Sequence, residues 1–285
     1  TGHEQDYRTS LVPSANFRHV ALLCKRAPSD PTPQLYYLSD GELQPVETGN
    51  TEFSIHGWAG RNLIYTASRN DLPNWQQGKH KLKSFDAEDG RVTLLDQSAG
   101  SDEATNIGEV YSAVAISGSL VTYAKNWNGY YYGSSMAGRQ HSLHTIGAGG
   151  QNHRQVATFD AEKYSLQYRQ KSLNSFYIYQ YGDGVDDTYL EYSAGGQPKS
   201  ISLDQDKFYE TFPVYIPSPS GQKTVWSDLR DGLDVIIVGD GSGSGGKTIA
   251  TLEDYGVYGW LSDEVIILTK KNRELYAIDA AGGTP

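Results

Sequence analysis

A phrase of four short strands recurs along this chain, and the recurrence limits its architecture more than any single motif does. One apolar or aromatic strand appears six times, at Val20–Lys25, Leu63–Ser68, Leu120–Lys125, Phe176–Tyr181, Lys223–Ser227 and Glu264–Thr269. A strand-like segment precedes it across a tight turn at Phe53–Trp58, Tyr111–Ile116, Phe212–Ile216 and Tyr255–Leu261. After each of the six comes a third strand ending in a glycine-bearing turn: Leu35–Gly41, Leu82–Gly90, Leu143–Gly150, Tyr189–Gly196, Leu233–Gly246 and Leu275–Gly283. A fourth follows in five cases, at Leu43–Glu47, Val92–Asp96, Arg154–Phe159, Lys199–Leu203 and Lys247–Glu253. Glycine at the third-to-fourth turn has a physical reason, because tight hairpins require positive φ at their centre.

Four antiparallel strands repeated six times predict an all-β, six-bladed β-propeller that fills residues 1–285 as one domain. A parallel α/β fold would need ten-residue stretches of 3.6-residue apolar period between strands, and the sequence has none. Two sandwiches would not repeat one phrase six times. Composition agrees: 31 glycines, 21 tyrosines and 5 tryptophans against one methionine, with 20% charged residues, belong to strands and turns.

One repeated phrase resembles a known family. Glu274–Thr284 (ELYAIDAAGGT), echoed by Lys83–Gly90 (KSFDAEDG), is similar to the motif of TolB-like propellers built from WD40-like PD40 repeats. There an aromatic strand runs into Asp-x-x-Gly-Gly and on into a short polar strand. The family's Trp-Ser-Pro-Asp-Gly turn has altered counterparts in Ile216–Gly221 (IPSPSG) and Trp260–Asp263 (WLSD). The resemblance implies a bacterial, extracytoplasmic propeller, periplasmic or secreted. Related propellers dock proteins, gate serine peptidases or act on glycans.

The sixth unit stops at Gly282–Pro285, where its fourth strand would begin, and Thr1–Tyr7 is an unassigned segment of strand length that would close the ring. With no initiating methionine and no basic-then-apolar leader, the chain reads as a processed or excised piece, either a monomeric domain or part of a larger protein.

Charge narrows the partners. The net charge of −10 repels phosphate and anionic membrane surfaces, which argues against nucleic acid. Apolar runs such as Val235–Val238 and Val265–Leu268 are far too short to insert in a bilayer. The single cysteine, Cys24, excludes an internal disulfide and a cysteine-rich metal site, and its apolar run predicts a buried thiol. No Asn-x-Ser/Thr sequon is present.

Several motifs imitate chemistry. Gly241–Thr248 (GSGSGGKT) matches the phosphate loop Gly-x4-Gly-Lys-Thr and follows an apolar strand. Phosphate capture needs a helix starting at the lysine. Here Ile249–Gly256 is β-branched and ends in glycine, and the repeat makes the segment a hairpin turn. His141 and His144 stand three apart, which on a strand sends them to opposite sides. Gly133–Ala137 nearly spells a nucleophile elbow but lacks its last glycine and its strand-to-helix setting. Asp183–Asp187 lacks the ligand spacing of a calcium loop. No cofactor and no metal site is predicted.

Loop length carries more. In a propeller the second-to-third and the inter-blade connections share one face, and the long segments Arg26–Pro33, Arg69–His80, Ser98–Val110, Asn126–Gln140 and Tyr181–Thr188 all fall there. They carry Trp75, Trp127, Tyr130, Tyr131, Tyr132 and Met136, with the acids Asp71, Asp102, Glu103, Asp183, Asp186 and Asp187. Aromatic rings on loops of a rigid scaffold mark recognition surfaces. The expectation is a non-catalytic binding module for a protein, peptide or glycan, with Trp75, Trp127, Tyr130, Tyr131, Tyr132, Asp183, Asp186 and Asp187 as ligand-binding residues. The alternatives are a glycosidase or lactonase, which would need carboxylates converging on the axis from first strands that read as free of acids, and the gate of a larger serine peptidase.

Overall fold

Every element assigned among the described residues is a strand, and the strands central to each sheet carry runs of consecutive buried side chains, as in β12 and β15. The computed structural model describes residues 10–15, 18–24, 33–48, 51–69, 79–99, 101–102, 107–129, 136–172, 174–182, 184–202, 215–270 and 274–285. They form six antiparallel sheets, the blades of a propeller. Blade one holds β1 (Ser10–Pro13), β2 (His19–Cys24), β3 (Gln34–Ser39) and β4 (Glu42–Glu47). Blade two holds β5 (Thr51–Ala59), β6 (Asn62–Arg69), β7 (Lys81–Asp86) and β8 (Val92–Gln97). Blade three adds a short β9 (Ser101–Asp102) to β10 (Ile107–Ser117), β11 (Leu120–Gly129), β12 (Gln140–Gly147) and β13 (Arg154–Asp160). Blade four comprises β14 (Ser165–Ser172), β15 (Ser175–Tyr181), β16 (Thr188–Ser193) and β17 (Lys199–Ile201). Blade five comprises β18 (Ile216–Pro217), β19 (Lys223–Arg230), β20 (Leu233–Asp240) and β21 (Lys247–Leu252). Blade six has three described strands, β22 (Tyr255–Trp260), β23 (Val265–Lys270) and β24 (Glu274–Asp279). Thr1–Tyr7, the expected closing strand, lies outside the described residues.

All six recurring apolar strands are second strands of blades, and those of blades two to five are the most deeply covered by neighbouring blades. Leu63, Ile64 and Tyr65 are fully buried in β6, as is Ile178 in β15. The core is accordingly divided into seams. Leu35, Phe53, Tyr65 and Phe85 fill the first, Ile64, Leu82, Val121 and Tyr123 the second, and Leu143, Phe176 and Tyr192 the third. Each such side chain contributes ~1.5–3 kcal/mol by leaving water. Two tryptophans fasten seams at the inner strands: Trp58 Nε1 donates to Val12 O and Trp260 Nε1 to Ile216 O, both at 2.8 Å. Each indole thus reaches the first strand of the preceding blade.

Tight turns follow the expected chemistry. The β3–β4 turn places Asp40 and Gly41 at φ 51° and 80°, and the β19–β20 turn places Asp231 and Gly232 at 52° and 80°, the two-residue geometry that suits the strands' twist.

Some expected boundaries are corrected. β11 continues four residues past Lys125, because Asn126–Gly129 pairs with Ile107–Val110 of a longer β10. The expected loop Ser98–Val110 contains a strand pair, with Asp102 opposite Ile107. Cys24 is half-buried at the end of β2.

Candidate functional site

Long connections do lie on one face, where β2–β3, β6–β7, β11–β12 and β15–β16 are joined, while the opposite face is built of short turns. Blades five and six are the exceptions, β19–β20 being joined by the two-residue turn Asp231–Gly232 and β23–β24 by only three residues. Of the expected binding residues, Trp75, Tyr130, Tyr131, Tyr132 and Asp183 lie outside the described residues, and Trp127, Asp186 and Asp187 lie within them.

Trp127 is a strand residue, not a loop one. Its amide donates to His141 Nδ1 at 3.1 Å, and the Arg139 guanidinium sits 4.2 Å from its ring centroid, a cation–π contact. His141 is wedged against the Tyr164 carbonyl through Nε2 at 2.8 Å. Burial depresses its pKa, against the opposing effect of that carbonyl.

Asp186 is exposed, whereas Asp187 has a defined partner: Tyr179 OH donates to its carboxylate at 2.7 Å. That bond, ahead of burial, raises the Tyr179 pKa and keeps the phenol protonated. The Tyr179 ring stacks on Tyr189 at 5.0 Å and on Tyr181 at 4.9 Å. Gln167 Nε2 donates to Tyr181 OH at 3.3 Å. Three tyrosines and a carboxylate therefore converge at the long-loop end of blade four. Sequence reasoning named Asp187 but missed Tyr179, Tyr181 and Tyr189. The signal was present in SFYIYQY, where tyrosines two apart must share a face of the strand.

A cavity of about 570 Å³ runs between the first strands, each of which contributes to its wall. The wall is aromatic and hydroxylated, with Trp58, Tyr111, Tyr168, Tyr258 and Trp260 prominent, and no carboxylate lines it among the described residues. Three of its side chains are placed by β-bulges, the extra residues being His56 in β5, Ser112 in β10 and Tyr258 in β22. A bulge re-aims a side chain that regular pairing would send elsewhere. His56 Nε2 lies 3.2 Å from Thr66 Oγ1, and burial lowers its pKa to about 4, so the ring is neutral at pH 7.

The first strands are not free of acids, since β10 carries a buried Glu109. Glu109 turns away from the axis into the seam with blade two, where it accepts the Ala99 amide at 2.7 Å. Lys125 Nζ lies 3.6 Å from Glu109 and 3.2 Å from Asp96. Tyr111 OH donates to Asp96 at 3.1 Å. His144 stacks on Tyr123 beside this group at 5.2 Å, with its pKa lowered to about 4 by burial and then by Lys125. His141 and His144 thus have different surroundings, as expected of their spacing on a strand.

The phosphate-loop look-alike is the β20–β21 hairpin turn. Asp240 fills it with its own anion: Oδ1 accepts the amides of Ser242 and Ser244 at 2.8 and 3.1 Å and the Ser242 hydroxyl at 2.5 Å. These bonds, the hydroxyl first, lower the Asp240 pKa. Lys247 and Thr248 are paired strand residues opposite Val238 and Ile237, so no helix dipole faces the loop.

No family model matches the chain, and no curated protein matches it. Solved structures do. The β-propeller domain of the Trilobed protease from Pyrococcus furiosus, described as having an open velcro topology, overlays with a TM-score of 0.52 at 12% identity, over 95% of this chain and 81% of that one. The likeness is one of fold. An acylaminoacyl peptidase in complex with Z-Gly-Gly-Phe-chloromethyl ketone gives 0.51 at 15% identity, and this chain, covered over 91%, spans 41% of that one. TolB from Acinetobacter baumannii is also similar, at 0.44 and 10% identity over 97% of this chain and 62% of that one. Among the described residues, no helix is long and apolar enough to cross a membrane.

Proposed function

We propose that this propeller is a non-catalytic, extracytoplasmic binding module that engages a protein, peptide or glycan on its long-loop face. The observation that carries the reading is the tyrosine stack of blade four, closed by Asp187. The half-buried Tyr179 and Tyr181 rings, backed by the buried Tyr189, offer contact area at small entropic cost, and a carboxylate beside them selects a basic or hydroxyl-bearing group. Trp127 under Arg139 on the neighbouring blade extends this surface.

Replacing Trp127 and Tyr181 by alanine is expected to weaken capture from a glycan array or a peptide library about thirtyfold, equivalent to ~2 kcal/mol at a binding anchor. Melting temperature should move little, because both rings are half-buried at strand ends. Undiminished capture by the double variant would refute the site. A second reading, the gate of a larger peptidase, draws on the two overlays above 0.5, both with peptidase or protease propellers. An open reading frame running on into a hydrolase domain would decide for it.

A further inference from the structure

On the opposite face, the turns of blades three, four and five border an open cleft of about 400 Å³. Its volume is within the range of small-ligand sites, but its wall is unlike theirs. Serines 117, 172, 175, 193, 220 and 242 contribute to it, with Asn174 and Gln222, and Ile116 is the one apolar side chain among the lining residues. The charged side chains in the wall are Lys171 and Glu191, bonded Nζ to Oε1 at 2.6 Å. Lys171 is the bulged residue of β14, the extra position between Gln170 and Ser172. The bulge lets a side chain of the innermost strand reach across β15 to β16. Ser193 and Gln222 are exposed and Ser117 is half-buried, so their polar groups face the opening.

This wall discriminates by charge. A free anion would meet the Glu191 carboxylate and, behind the turn, Asp240. A free cation would meet the Lys171 ammonium. An apolar ligand would strand hydroxyls that water now satisfies. A neutral polyhydroxylated molecule answers the whole wall, since each of its hydroxyls both donates and accepts, toward the serines as well as toward the Lys171–Glu191 pair.

We infer that this cleft is a binding site for a neutral sugar or cyclic polyol of about monosaccharide size, separate from the long-loop face. The test is saturation-transfer NMR with D-glucose, D-galactose, D-mannose and myo-inositol, with inorganic phosphate and tetramethylammonium as charged controls. Saturable binding is expected for at least one of the four neutral probes and for neither control. Glu191→Gln should weaken it about tenfold, the scale of one charge-assisted hydrogen bond. Ser193→Tyr, an exposed position whose ring would fill the cleft, should abolish it, and Trp127→Ala should leave it intact. Should Glu191→Gln unfold the blade, Ser193→Tyr still decides. The inference is overturned if no neutral probe saturates, if a charged control binds in preference, or if binding survives Ser193→Tyr. Loss with Trp127→Ala would assign the sugar to the other face.

Discussion

The channel histidine gives a test of the fold's inner wall. His56 occupies the bulge of β5, with a folded pKa of about 4 against 6.5 in the open chain, and burial is the cause. Below pH 6.5 the unfolded chain therefore takes up a proton that the folded chain refuses, so stability falls as pH falls and the loss ends near pH 4. The full difference is worth ~3 kcal/mol, about half of it developed between about pH 6.5 and 5, above the range where most carboxylates protonate. Urea unfolding of the parent and of His56→Gln at several values in that interval isolates the effect. Other groups, including the similarly depressed His144, titrate in both proteins and cancel in the difference. The parent is expected to lose ~1.5 kcal/mol more than the variant across the interval. Parallel stability curves would show that His56 is hydrated and protonates freely, and that the bulge does not seat it against the wall as described.

Other expectations follow from the turns, the seams and the ends. Magnesium-ATP at millimolar concentration should leave the melting temperature unchanged, because a site already filled by Asp240 gains nothing by mass action; a dose-dependent rise abolished by Lys247→Ala would overturn the hairpin reading. Trp58→Phe and Trp260→Phe should each cost ~1–3 kcal/mol in urea unfolding, since each leaves an inner-strand carbonyl without its indole donor; an unchanged midpoint would mean water replaces the bond. Deleting Thr1–Tyr7 should lower the melting temperature or promote aggregation if that segment supplies the fourth strand of blade six; a monomeric, equally stable truncation would refute closure by the N-terminus.

What could be read in advance divides by exposure. Second strands such as LIYTAS at 63–68 are buried on both faces, so the sequence shows them as apolar runs. β14 escaped notice because its SLQYRQKS faces the channel and a polar turn cleft, which leaves no clean alternation of apolar residues. Trp127 looked like a loop residue because Asn126, Asn128 and Gly129 are turn formers, and only the long-range partner Ile107–Val110 holds them extended. Asp187 was visible as an acid, but its meeting with Tyr179 depends on the register of β15 with β16, in which Gln180 faces Thr188 and Tyr179 faces Tyr189.

The Asp240 turn has a wider consequence. Its backbone already has the shape that captures anions, and the carboxylate of Asp240, two and four residues before the amides it accepts, occupies that shape. Losing that one side chain would leave the Ser242 and Ser244 amides without their acceptor. The letters of the motif are thus compatible with a hairpin whose anion is supplied by its own chain, and the strand pairing of Lys247 and Thr248, not the motif, decides between hairpin and phosphate loop.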